Sequence, residues 1–275
     1  MIMVFGKTGQ IAIELQSLGN VVSLDRDQAD LTNPSACVEL INDFVPSAVI
    51  NAAAYTDVEK ADKEERLATI INAHAPAAMA KACNKLAIPF VQISTDYVFN
   101  GGSRKPWAPT DPTEPKNAYG RSKLAGEKAI RKSGSNHAIL RTSWLFSPHR
   151  TNFVKTMLQL SENNDALRVV DDQFGGPTPA SAVASACLSI VEQLLLDSSK
   201  TGTYHFSGTP NVSWYEFADT IFKMAGRKVI LTPISTYDYP TLAKRPFNSR
   251  MDCDAILKTF GIPRPDWRKG LSDII

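Results

Sequence analysis

The chain has no excess charge of either sign, no metal-ligand spacing and no apolar run long enough for a membrane. Lys and Arg total 30 against 28 Asp and Glu, a formal charge of +2, so no general affinity for nucleic acid or an acidic membrane surface is expected. No apolar stretch approaches the ~18 residues that a spanning helix needs. The opening "MIMVFGKTGQ" has neither the basic lead nor the long apolar segment of a secretory leader. The four cysteines, Cys37, Cys83, Cys187 and Cys253, are far apart, and so are His74, His137, His149 and His205. A protein metal centre is therefore not expected. The cysteines suit a reducing cytoplasm, where they serve as small buried hydrophobes. Internal repeats, low-complexity tracts and flexible linkers are also missing.

What remains, with 43% hydrophobic and 21% charged residues over 275 positions, is a chain able to bury a full core. "IMVF", "NVVSL", "AVINAAA", "FVQIS" and "AILRTSWLF" read as strands. Between them lie helical patterns such as "QIAIELQSL", "PSACVELINDF", "APAAMAKACNKLA" and "AYGRSKLAGEKAI". Asn33 followed by Pro34 supplies a capping side chain and a preset φ for a helix start. Strands alternating with helices predict an α/β fold, a Rossmann-like doubly wound parallel sheet. "LRVV" and "TYHFSG" are expected to extend this sheet, with the helix "PASAVASACLSIVEQLLL" between them. After about Pro210 the rhythm breaks, and only "SWYEFADTIFKMAG" and "DCDAILKTFG" look helical. The division expected is a dinucleotide-binding part over 1–145 and 179–209. A smaller substrate-binding lobe is expected over 146–178 and 210–275.

The first strand runs straight into "GKTGQIA", where Gly6, Gly9 and Ala12 fit a three-residue-spaced relative of the dinucleotide fingerprint. Glycine there lets the backbone approach a pyrophosphate whose charge rests on a helix N-terminus. Asp25 follows 19 positions after Gly6, near the ~20 expected for an acid on the adenosine ribose. Arg26 and Lys7 could instead neutralise a 2′-phosphate, which leaves NADPH and NADH both open. Ala52, Ala53 and Ala54 at the third strand's end are small enough for a cofactor to lie against, or for a helix to pack closely. Ser94, Thr95 and Asp96 end the fourth strand, where ligands of open α/β sheets bind. Thr95 there is either a hydrogen-bond donor to a reacting oxygen or a turn cap.

Tyr119 and Lys123 in "AYGRSKLAGEK" lie four apart, on one helix face with Cβ atoms about 5–6 Å apart. None of the other six tyrosines has a lysine at that spacing. A nearby cation favours a phenolate, so Lys123 is expected to lower the Tyr119 pKa toward that of a general acid. Glycine turn, alanine strand end, Ser-Thr-Asp and Tyr-x-x-x-Lys in this order are far more specific than any one of them.

These residues resemble the extended short-chain dehydrogenase/reductase superfamily. With "RTSWLF", "DDQFGGPT" and "RPFNSRMD" added, nearly the whole chain resembles the dTDP-4-dehydrorhamnose reductase family. The resemblance implies hydride delivery from NADPH or NADH to the C4 ketone of a nucleotide-linked 4-keto-6-deoxy sugar. Tyr119 would give the proton, Lys123 would hold the nicotinamide ribose and Thr95 would polarise the carbonyl. It also implies cofactor contacts at Gln10, Ile11, Asp30 and Leu31. Asp96, Tyr97 and Trp144 would shape the sugar pocket, Trp144 being equally readable as a core residue on a strand. Gln173, Arg245, Asn248 and Ser249 would face the substrate's nucleotide end, and Asp252 reads better as a helix cap.

Some relatives hold Mg²⁺ between subunits through a glutamate of the first helix and an acid soon after the GxPT turn. Glu14 is present, but Pro179, Ala180 and Ser181 follow the turn. No Mg²⁺ and no dimer of that style are expected, although a homodimer of another kind stays open. A 4,6-dehydratase would need an Asp–Glu pair after Thr95, where Asp96 and Tyr97 stand. An epimerase, or a dinucleotide-binding regulator resembling the β subunit of methionine adenosyltransferase, is the alternative on the same fold.

Overall fold

Short apolar runs with both faces covered build the central sheet, as expected of parallel strands buried on two sides. In the computed structural model, which describes residues 1–275, these are β1 (Ile2–Phe5), β2 (Val21–Leu24), β3 (Ala48–Asn51), β4 (Phe90–Thr95) and β5 (His137–Thr142). A sixth strand, Gly202–His205, pairs with the outer side of β5. From that edge the order continues β5, β4, β3, β1, β2, and every pair is parallel.

Alternation along each strand separates two apolar layers. Val4, Ile50, Val91 and Leu140 pack against α1 (Gln10–Leu18) and the helix Ala180–Leu196. Met3, Phe5, Val49, Phe90 and Ile139 face the opposite layer, with Cys37 and Ile41 from the helix Pro34–Phe44 and Met79 and Cys83 from the helix Ala75–Lys85. Asn33 caps the Pro34 helix by accepting from the Ala36 N–H at 3.2 Å. All four cysteines are buried and unpaired. No helix is long and apolar enough to cross a membrane.

The second body of the fold is built around Phe146, Val154, Met157, Phe217, Phe222 and Trp267. "LRVV" belongs here and not to the central sheet. Ala166–Val170 pairs in parallel with Ile230–Ile234, a strand that Pro233 hid in the sequence. An apolar run reports that a segment is buried, not which partner its backbone finds. The sequence division assigns 210–275 as a whole to the smaller lobe. Within it, however, Met251, Cys253, Ile256 and Phe260 share the apolar cluster of Val4 and Leu140, so the helix Asp254–Phe260 packs on the sheet side. Asp252 accepts from the Asp254 N–H at 2.8 Å just before that helix, a capping contact.

Candidate active site

A crevice of about 650 Å³ runs along the carboxyl ends of β1, β3, β4 and β5. It opens where the strand order reverses beside β1, the usual ligand position in open parallel sheets. Gly6 has φ +106° and sits so close to β3 that an added Cβ would lie 3.2 Å from the Ala53 nitrogen. Gly9, by contrast, has open space before it and caps α1 with no side-chain bond. The first N–H groups of α1 thus face a roomy, glycine-lined mouth, which fits a pyrophosphate.

Along this arm lie Gln10, Ile11, Asp25, Arg26, Asp30, Leu31, Ala52, Ala53 and Ala54, all lining the crevice. The Asp25 carboxylate accepts from the Gln28 N–H at 3.1 Å and from Lys7 Nζ at 3.2 Å; these bonds hold it below the usual carboxylate range. Arg26 is exposed and reaches Asp30 at 3.8 Å. The Gln10 side chain accepts from Ser147 Oγ and Asn152 Nδ2 at 2.8 and 3.1 Å, tying the turn to the smaller lobe. Arg150, absent from the sequence reading, donates to Thr8 Oγ1 at 3.1 Å across the same mouth. Its signal in the sequence was nil, since it lies in an irregular loop of the other lobe.

The other arm is set by the helix Ala118–Lys132. Asn117 caps it by accepting from the Gly120 N–H at 2.8 Å. Small residues of its motif serve packing: a Cβ on Gly120 would lie 2.2 Å from the Tyr97 carbonyl, and one on Gly126 2.2 Å from that of Asn72. Ser122 Oγ accepts from Asn72 Nδ2 at 3.0 Å and donates to the Tyr119 carbonyl at 2.8 Å. This close seating brings Tyr119 and Lys123 to the end of β4. Lys123 is buried and donates to the Ile93 carbonyl at 2.7 Å. Tyr119 meets Tyr97 edge-to-face at 5.5 Å, and it lines the crevice together with Thr95. Thr95 also accepts from the Tyr97 N–H at 3.2 Å and donates to Asp96 Oδ1 at 3.1 Å, so it is a turn cap and a cavity residue at once.

The electrostatics differ from the sequence expectation in one respect. Burial raises the Tyr119 pKa above the ordinary phenol value, with Asp96 and Tyr97 adding to the rise and only the polar influence of Thr95 opposing it. Lys123 is itself pulled down to about 8 by burial, with the Glu127 charge opposing that fall. Desolvation outweighs the pairing that the four-residue spacing suggested, because both groups leave water together.

Burial likewise lifts Asp96 to about 6, against the opposing influence of Ser249 and of the Thr95 hydroxyl that donates to it. Between the ordinary carboxyl value and about 6, the folded chain keeps a proton that the unfolded chain has released. Stability is therefore expected to fall as pH rises through that window and to level off above it. Urea midpoints at pH 4.5 and 7 test this, because Asp96→Asn should abolish this share of the slope.

The expected substrate residues divide. Asp96, Tyr97 and Trp144 line the crevice, whereas Gln173, Arg245, Asn248 and Ser249 are not among its lining residues. Trp144 is not on a strand: it sits between β5 and Leu145–Phe146 with φ +51°, stacked on Trp214 at 3.5 Å. Gly175 makes room for it, since a Cβ there would lie 2.5 Å from the indole. Arg245 donates to Glu59 at 2.8 Å and lies 3.4 Å from the Tyr97 hydroxyl, so it reaches the crevice through Tyr97. Gln173 donates to Thr236 at 3.1 Å and accepts from Trp214 at 3.2 Å. Asn248 donates to the Ser103 and Lys105 carbonyls and accepts from Arg250, leaving its side chain no free capacity. Its visible task is to fasten the residues leading into the proline-rich loop "PWAPTDPTEPKN" (106–117) to the C-terminal segment. That loop's Trp107 pairs with Met251 and donates to the Asn248 carbonyl at 3.0 Å.

The family model described as "RmlD substrate binding domain" matches residues 1–275. A dTDP-4-dehydrorhamnose reductase of Sinorhizobium fredii is 40% identical over 99% of this chain and 95% of its own. The chain belongs to the dTDP-4-dehydrorhamnose reductase family. The crystal structure of a dTDP-4-dehydrorhamnose reductase from Clostridium acetobutylicum superposes with a TM-score of 0.94 at 36% identity, covering 99% of this chain and 97% of that one. One from Bacillus anthracis, in complex with NADP, does so with 0.91 at 35% identity over the same shares. Within this family framework Glu14 lies in a small cavity with Pro179, Ala180 and Ser181, and its carboxylate is 3.5 Å from His149 Nε2.

Proposed function

We propose that this dTDP-4-dehydrorhamnose reductase family member reduces the C4 ketone of dTDP-4-dehydro-L-rhamnose to dTDP-L-rhamnose with NADPH or NADH. The supporting observation is the convergence of Thr95, Tyr119 and Lys123 at one end of a crevice whose other end is the glycine turn and Asp25. A reduced nicotinamide cofactor, when bound, supplies the hydride.

Tyr119, Thr95 and Lys123 do the rest. The half-buried phenol, with its pKa raised above the ordinary value, keeps its proton at neutral pH, which is the form a donor needs. A carbonyl oxygen beside it gains negative charge as the ketone is reduced and becomes basic enough to take that proton. The Thr95 oxygen is held in place by the Tyr97 N–H, and its one proton rests on Asp96 Oδ1; turning that proton from Asp96 to the ketone oxygen would let it stabilise the developing charge. Lys123 carries positive charge below about pH 8 and is held against β4, where it would engage the nicotinamide ribose. Asp96, Tyr97 and Trp144 would hold the sugar, and Gly6, Gly9, Gln10, Ile11 and Ala52 through Ala54 the dinucleotide.

The test follows the absorbance of NADPH and of NADH with dTDP-4-keto-L-rhamnose. One cofactor should be consumed stoichiometrically with dTDP-L-rhamnose formed. Consumption of neither, together with binding to a methionine adenosyltransferase, would move the chain to the regulatory alternative.

A further inference from the structure

The segment "DDQFGGPT" (171–178) takes no part in the proposed chemistry, and none of its residues lines the crevice. Its contacts converge instead on two indoles, those of Trp144 and Trp214. The Asp171 carboxylate accepts from Ser213 Oγ, and Ser213 caps the helix Trp214–Met224. Asp172 accepts from the Thr236 N–H at 2.9 Å and from the Thr236 hydroxyl. That hydroxyl accepts from Gln173 Nε2 at 3.1 Å, and Gln173 Oε1 in turn accepts from Trp214 Nε1 at 3.2 Å. Phe174 and Gly175 pair with Ser213 and Val212. Thr178 donates its N–H to the Trp144 carbonyl at 3.0 Å.

Among these contacts Trp144 keeps a backbone conformation that it would not hold unaided. A φ of +51° is an outlier for so bulky a residue, and such outliers persist only where the surroundings fix them, most often at functional sites. Trp214 lies over its indole with centroids 3.5 Å and planes 10° apart. A Cβ on Gly175 would lie 2.5 Å from the same indole, so the ring has little room to tilt. Trp214 is itself held by Gln173 and by the Phe153 ring at 4.5 Å. Of the stacked pair only Trp144 lines the crevice, with Asp96 and Tyr97.

We propose that Gln173 and Trp214 are positioning residues: the 171–178 segment is a bracket that fixes the Trp144 indole at the crevice wall, and Gln173 acts on the sugar only through the two indoles. This rests on the reading given above, in which Trp144 meets the sugar. A side chain locked before binding loses less freedom when the ligand arrives. Loosening the bracket should therefore weaken the sugar and leave the cofactor and the chemical step alone.

Gln173→Leu removes the acceptor for Trp214, and Trp214→Phe removes the donor while keeping a ring in the stack. Each should raise the KM for dTDP-4-keto-L-rhamnose roughly 3- to 10-fold, the worth of one neutral hydrogen bond. The kcat and the KM for the nicotinamide cofactor should stay at the wild-type values. Because both variants break one bond, the double variant should be no worse than the more affected single one. Effects on KM that multiply in the double variant would overturn the proposal, since Gln173 would then meet the ligand directly. So would a wild-type KM in both singles, or a matching loss of kcat and cofactor affinity, which marks a merely structural role. Fluorine NMR of protein carrying 5-fluorotryptophan reads the indole without turnover. The Trp144 resonance, assigned by its loss in Trp144→Phe, should shift or broaden in Gln173→Leu; an unmoved resonance would overturn the bracket. Wild-type protein that reduces no sugar would instead remove the reductase reading, and the resonance would still decide whether Gln173 holds Trp144.

Discussion

Replacing Tyr119 by phenylalanine is expected to lower turnover with dTDP-4-keto-L-rhamnose by about 10²–10⁴-fold, the range for losing a positioned proton donor. The reason lies in the seating of the ring. It is wedged against Tyr97 on a helix whose approach is fixed by Gly120 and Gly126, so phenylalanine keeps the packing and loses only the hydroxyl. Cofactor affinity should change little. Stopped-flow or steady-state absorbance gives kcat, and fluorescence titration gives the NADPH dissociation constant. A wild-type kcat in the phenylalanine variant would remove Tyr119 from the mechanism. A large loss of cofactor affinity would show the hydroxyl to be a binding group instead.

The second large effect concerns stability. Glu127 and Arg141 form a buried ion pair, 1% and 2% exposed in their side chains, with contacts of 2.6 and 2.9 Å. Ser94 Oγ donates to the same carboxylate at 2.6 Å. Arg141 Nη1 also donates to the Pro109 carbonyl and to His205 Nε2, both at 3.2 Å. The acceptor role of Nε2 requires a neutral ring, whose Nδ1–H then donates to the Trp107 carbonyl at 2.9 Å. Burial and the Arg141 charge hold His205 down at about 3, so the ring is neutral throughout the physiological range. The chain of contacts joins the Lys123 helix, β4, β5 and the proline-rich loop.

Removing Glu127 leaves the Arg141 charge buried and unpaired, so Glu127→Ala should cost about 3–5 kcal/mol in denaturant unfolding. Removing Arg141 leaves Glu127 only the more exposed Arg131 as a charged partner, at 3.3 Å, so Arg141→Met should cost toward the lower end of that range. The combined replacement Glu127→Leu with Arg141→Met should recover most of that. If the double variant is as unstable as the sum of the singles, the damage lies in the Ser94, His205 and Pro109 bonds and not in the lost charge pairing. Arg141 and Ser94 hold the Glu127 pKa below the usual carboxylate value despite burial. Its stabilisation is thus full above the unfolded carboxyl pKa and is lost as pH falls through the folded one.

Much of this molecule is legible along the chain because the signals involved are local. Asn33 before Pro34, and the glycine turn between β1 and α1, act within a few residues. The four-residue spacing placed Tyr119 and Lys123 on one helix, and order along the chain pointed to the strand ends. The same spacing gave the wrong direction for the Tyr119 pKa, because it reports proximity and says nothing about solvent. Asn248 carried the right residue type for a ligand, yet the loop and Arg250 around it take all its hydrogen bonds. "LRVV" carried the right hydrophobicity for the central sheet and paired with a strand interrupted by proline.

The sequence by itself determined that this is a doubly wound α/β chain of the reductase type, since turns, caps and helix faces are set by neighbours in the chain. Only the tertiary structure decided which groups are dry. Burial of Tyr119 and Asp96 and the Glu127–Arg141 pair arise where segments far apart in the chain exclude water together. Desolvation has no local signature, and it sets the proton affinities on which the chemistry proposed here depends.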